Sequence, residues 1–171
     1  MIGLWARPVE VLDQARDRGV WGAALALSLL AGVIGIATTP AWQSQWRLDG
    51  GQAMELAGIA VGGVVLASLL LGSVTQAMAR TLGGAGRFSP TVSMFVVVFW
   101  TTDLPRLVLS LWLPHDSGVL GAVTWTTWAF GYGLAVLLIR GQHHLVTAKA
   151  MAAVTFQMAA ALLLLRTGPL H

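Results

Sequence analysis

The sequence predicts an all-α integral membrane protein: a bundle of five transmembrane helices preceded by a short amphipathic helix at the membrane surface. Three observations predict it. Of the 171 residues, 56% are hydrophobic and only 10% are charged, against about 25% charged in an ordinary soluble domain, and the mean hydropathy is +0.74. Residues 19–46, 56–79 and 117–139 contain no Asp, Glu, Lys or Arg. Each exceeds the roughly 20 apolar residues that cross a hydrocarbon core. The basic residues between the apolar runs also alternate in density from loop to loop. Such a composition is the opposite of a disordered chain, and its length suits one domain over residues 1–171. With no cysteine, disulfides, iron–sulfur centres and thiolate zinc sites are excluded.

The elements follow in order. Residues 8–18 (PVEVLDQARDR) open on a proline at a helix-starting position. Val11, Leu12 and Ala15 then recur at helical spacing against charged neighbours, the pattern of a helix lying on the membrane. The first span is expected at about 20–40. It is too long for a signal-peptide core and follows three acidic residues, so cleavage after the Thr39-Pro40-Ala41 segment is not expected. The second span is expected at about 56–79 and the fourth at about 118–139. The third, about 89–112, carries Asp103 and Arg106 inside it. The fifth, about 145–165, becomes long enough only by including Leu145 and Val146.

Loop charges orient the bundle. Arg7, Arg16, Arg18, Arg80, Arg87, Arg140 and Lys149 fall on one side, and only Arg47 and Arg166 on the other. By the positive-inside rule the N-terminus is cytoplasmic and the C-terminus external, periplasmic in a bacterial inner membrane. Nine Arg to one Lys, with abundant Ala and Gly, fits a GC-rich bacterial source. Trp21, Trp42, Trp46 and Trp112 fall at span ends, where amphipathic rings sit at headgroup level. Trp100, Trp125 and Trp128 lie deeper and are expected to pack between helices. The basic residues form no stripe for nucleic acid.

Asp103-Leu104-Pro105-Arg106 is the strongest chemical irregularity. At 1.5 Å per residue, Asp103 lies roughly 22 Å along its span. Pro105 denies Thr101 its helical donor and is expected to kink the helix. Asp103 and Arg106 share a face at i,i+3 and can neutralise each other. Two readings stand: a polar site for an ion, proton or lipid headgroup, assisted by Thr101 and Thr102, or a structural pair pinning a kinked helix.

Arg80-Thr-Leu-Gly83-Gly84-Ala-Gly86-Arg87 is a glycine-rich turn between two arginines. It could cradle a lipid phosphate, or it could simply be a tight turn. It lacks the GK[ST] of a nucleotide loop. His143 and His144 point about 100° apart on a helix, with no ligand pair four residues away. They are expected to be interfacial, with no metal and no cofactor. Gln157 is expected to bond across helices. Gly58-x-x-x-Gly62 offers a close-packing face, inside the chain or toward another. Ser28, Ser68, Ser73 and Ser110 have no arranged base and carboxylate, so no enzyme is expected.

Together Pro8, Gly83-Gly84-Ala-Gly86-Arg-Phe88, Pro105, Trp128, and His143 or His144 followed by Lys149-Ala150 resemble the Yip1 family of small polytopic membrane proteins. The resemblance runs from about residue 7 to 165. It implies five spans and a cytoplasmic N-terminus. Eukaryotic relatives engage small GTPases through a long N-terminal region; fewer than 20 residues precede the first span here, so no GTPase partner is expected. The expected role is a non-enzymatic inner-membrane protein, a membrane-organising or accessory subunit. Its expected partners are the phospholipid bilayer and copies of itself or other membrane subunits. The alternative is a small transporter or lipid-handling protein using Asp103 and Arg106.

Overall fold

The computed structural model describes residues 6–7, 10–11, 19–38, 50–114 and 116–167. Five long helices follow one another: α1 (Trp21–Thr38), α2 (Gly50–Thr81), α3 (Phe88–Leu109), α4 (Gly118–His143) and α5 (Thr147–Thr167). No strand occurs among the described residues. Ala57–Thr81 of α2, together with α3 and α4, are long and apolar enough to cross a membrane, while Trp21–Gly35 is a shorter apolar stretch. Most of the surface helix expected at 8–18 lies outside the described residues, as do Trp42, Trp46 and Arg47. Glu10 and Val11 are helical, and Val11 N–H donates to the Arg7 carbonyl at 3.2 Å.

The helices depart from the charge-free runs at their ends. α2 begins six residues before the expected boundary and contains Glu55; α4 passes Arg140 and ends at His143. α3 stops at Leu109, three residues early, in turn-type hydrogen bonds through Leu113. Charge marks where the apolar run stops, whereas backbone capping marks where the helix stops. At α4 the start is set by Ser117, whose side chain accepts from Leu120 N–H at 3.2 Å. The end is set by His144, which adopts the left-handed conformation at φ 53°.

α3 is the central element, packed against α1, α2 and α4. Pro90 through Val98 are all buried, and Met94–Val98 meet Leu134–Val136, Leu138 and Ile139 of α4 in the core. Small residues set the helix approaches. A Cβ at Gly72 of α2 would lie 3.0 Å from Val92 Cγ1 of α3, and one at Gly131 of α4 would lie 2.7 Å from Thr102 Oγ1. The start of α1 is fastened to the first turns of α3. Val20 N–H donates to Ser93 Oγ at 3.0 Å, and the Trp21 indole to Ser89 Oγ at 2.7 Å.

The tryptophans divide differently from expectation. Trp112 is exposed at a helix end, and Trp100 turns inward, its indole donating to Ser68 Oγ at 3.0 Å. Trp125 instead faces outward, 76% exposed. Depth along a span does not predict direction, because an outward indole meets hydrocarbon as apolar as the core.

Candidate functional site

Two polar constellations sit inside this apolar frame. Near the far end of α3, Arg106 donates from Nε to Asp103 Oδ1 at 2.7 Å and from its terminal nitrogen to Oδ2 at 2.5 Å. The pair is a bidentate fork in which both carboxylate oxygens are engaged. Asp103 is buried and Arg106 about one-third exposed (31%), so the pair turns its charge inward and leaves one edge of the guanidinium open. The expected threonine partners do not join it. Thr102 Oγ1 donates to the Phe99 carbonyl at 2.9 Å, and the buried Thr101 hydroxyl has no partner among the described residues. Pro105 lies inside α3, which continues four residues beyond it.

The second constellation closes the other end of the bundle, where α2, α3, α4 and α5 meet. α2 terminates in a Schellman motif: Gly84 N–H donates to the Ala79 carbonyl at 2.9 Å and Gly83 N–H to the Arg80 carbonyl at 3.0 Å. Gly83 takes φ +96°, a conformation open to glycine. Lys149 Nζ from α5 donates to the Leu82 carbonyl at 2.9 Å. Gly86 N–H donates to His143 Nδ1 at 3.1 Å, His143 Nε2 lies 2.7 Å from Gln76 Oε1, and Gln76 Nε2 donates to the Gly86 carbonyl at 3.0 Å. A Cβ at Gly84 would lie 2.5 Å from His143 Nδ1, and one at Gly86 would lie 2.8 Å from the same ring.

The glycines are therefore required by the imidazole packed on them. The N–H groups of Gly83, Gly84 and Gly86 all donate within the chain, so they do not form an anion cradle. Arg80 and Arg87 remain exposed beside them. His143 was expected at the interface but is only 1% exposed, because its two ring nitrogens find partners on two other elements. Gln76 belongs to no sequence motif. Its signal was an amide inside an apolar helix, which must find a partner there. Gln157 bonds across helices as expected, to Thr75 of α2.

Gly58 and Gly62 do not contribute to packing within the bundle. A Cβ at either meets nothing within 4 Å among the described residues.

Three helices long and apolar enough to cross a membrane, tied to one another by buried side-chain hydrogen bonds, are those of a membrane-type helical protein. The chain belongs to the Yip1 family: the Yip1 domain model matches residues 2–166. Among curated proteins and among solved structures, none matches the chain.

Proposed function

We propose that this Yip1-family protein is a non-enzymatic membrane-organising or accessory subunit that works through lateral helix contacts, with a copy of itself or another membrane protein. The observation that carries this reading is the open face of α2. Of its apolar window only 12% is buried, against 61% for α3. Gly58 and Gly62 have empty space above them, and Met54, Ile59 and Leu66 of the same helix are exposed. Small residues four apart let a second backbone approach closely in lipid. The location proposed is a bacterial inner membrane with the Gly83–Gly86 loop cytoplasmic. The exposed Arg80, Arg87, Arg140 and Lys149 on that end of the bundle support this orientation.

Solubilisation in a mild detergent followed by sizing and in-membrane crosslinking tests the reading. The expected result is an assembly larger than one chain that Gly58→Ile with Gly62→Ile disperses without loss of helix content. A lone monomer with no co-purifying protein would overturn it.

A further inference from the structure

We propose that the middle of the bundle holds the acyl chain of a membrane phospholipid. A cavity of about 570 Å³ lies between α2, α3, α4 and α5. Its wall is laid at one level: positions 64–74 of α2, 95–103 of α3, 127–135 of α4 and 154–158 of α5. Counted from the helix ends at the Gly83–Gly86 loop, these positions lie about 10–25 Å along their helices. That is the middle of a hydrocarbon core about 30 Å thick. The lipid atoms adjacent to the bundle at this depth are chains, not headgroups.

The chemistry of the wall agrees. It is overwhelmingly apolar, with Leu71, Phe95, Val98, Val154 and Met158 among its members. Its polar members are mostly engaged elsewhere. Ser68 accepts from Trp100 and donates to the Val64 carbonyl, Thr102 and Thr127 donate to backbone carbonyls three residues back, and Tyr132 bonds Thr155. Both oxygens of Asp103 are held by Arg106. Gln157 Oε1 is taken by Thr75, which leaves the Gln157 amide nitrogen and the Trp128 indole as donors on the wall. A water in such a space needs two to four polar partners. Left empty, the space would deprive its lining of dispersion contacts; a hydrocarbon chain restores them. Access is lateral. Leu70 and Val74 belong to the wall and also to the outer surface, 57% and 37% exposed. This inference goes beyond the association proposed for the Gly58 and Gly62 face.

The test is photolabelling of the full chain in liposomes by a phospholipid carrying a diazirine near the end of one acyl chain, with sites read by mass spectrometry. Expected are adducts on Phe95, Val98, Val154 or Met158, and none there from a phospholipid with the diazirine at its headgroup. Ala135→Phe, which fills the cavity from α4, is expected to reduce those adducts at least fivefold while labelling of exposed Leu29 and Leu30 on α1 persists. Ala67→Leu on α2 provides the same blockade should Ala135→Phe fail to fold. Adducts confined to outer-surface residues, cavity adducts unchanged in the folded blocking variant, or crosslinks from the wall to a second copy of the chain would each overturn the proposal.

Discussion

His143 Nε2 of α4 and Gln76 Oε1 of α2 lie 2.7 Å apart, 67 residues distant in sequence, and Gly86 closes the ring between them. Donor geometry fixes the protons. Gly86 N–H donates to Nδ1, so the neutral imidazole carries its hydrogen on Nε2 and donates to the glutamine oxygen. The glutamine nitrogen in turn donates to the Gly86 carbonyl. Both backbone groups of one glycine are thus satisfied by side chains from two different helices. The ring fixes the α2–α3 connection to α4.

His143→Ala should destabilise the bundle by about 2–4 kcal/mol, since it leaves a buried N–H and a buried amide without partners and opens a void. Gln76→Ala should have a smaller effect of the same sign. Because both residues belong to one ring, the double variant should lose less than the sum of the two. Thermal unfolding in detergent, scored by retained monodispersity, measures all three. Strict additivity would show that the ring is not a unit.

The glycines should separate into two groups. Gly84→Ala and Gly86→Ala drive a methyl to within 2.5 Å and 2.8 Å of the His143 ring, and each should lower stability by about 1–3 kcal/mol. Gly58→Ala and Gly62→Ala meet nothing and should leave the stability of the single chain unchanged or slightly raised, as helix propensity favours alanine by about 1 kcal/mol. Comparing melting temperatures of the four variants under monomeric conditions checks the split.

Helix order and approximate limits were legible because a membrane-spanning segment writes itself into sequence as a long run free of charge, as in 56–79 and 117–139. The Asp103–Arg106 pair was legible for the same reason: two charges within an apolar run, three apart, have each other as nearest partners. The His143 ring was not. It depends on three residues whose only common property is the place to which the topology brings them, and a glycine next to a ring looks in sequence like a glycine in a turn. Lateral direction was equally hidden. Trp100 and Trp125 sit in similar apolar surroundings, yet one bonds Ser68 and the other faces outward.

That difference gives an optical test. In variants retaining one tryptophan each, Trp125 should be quenched strongly by phospholipids brominated along the acyl chain, since it is 76% exposed on the outer surface. Trp100, half-buried and bonded to Ser68, also lines the cavity, so it should be quenched several-fold less than Trp125 once Ala135→Phe has filled that cavity. Trp125→Phe should shift stability within about 0.5 kcal/mol, as surface substitutions away from special features do. Equal quenching of the two in that blocked background would contradict the packing of α3 and α4.

The Asp103–Arg106 pair makes the sharpest prediction about the difference between holding a helix and performing a task. Removing one partner leaves the other charge unpaired in apolar surroundings, which for buried pairs costs about 3–5 kcal/mol. Arg106→Gln should lie at the upper end of that range, because the carboxylate it abandons is the more buried of the two. Asp103→Asn should lie lower, since the partly exposed guanidinium can reach toward the interface. Replacing both by apolar residues of similar length, Asp103→Leu with Arg106→Met, removes the charges together and should recover most of the loss. If the pair only holds α3, the double variant regains melting temperature, assembly and liposome behaviour alike. If it also handles an ion or a headgroup, stability returns while any flux or lipid binding measured in liposomes does not. Running melting and flux on the same four proteins separates the two outcomes.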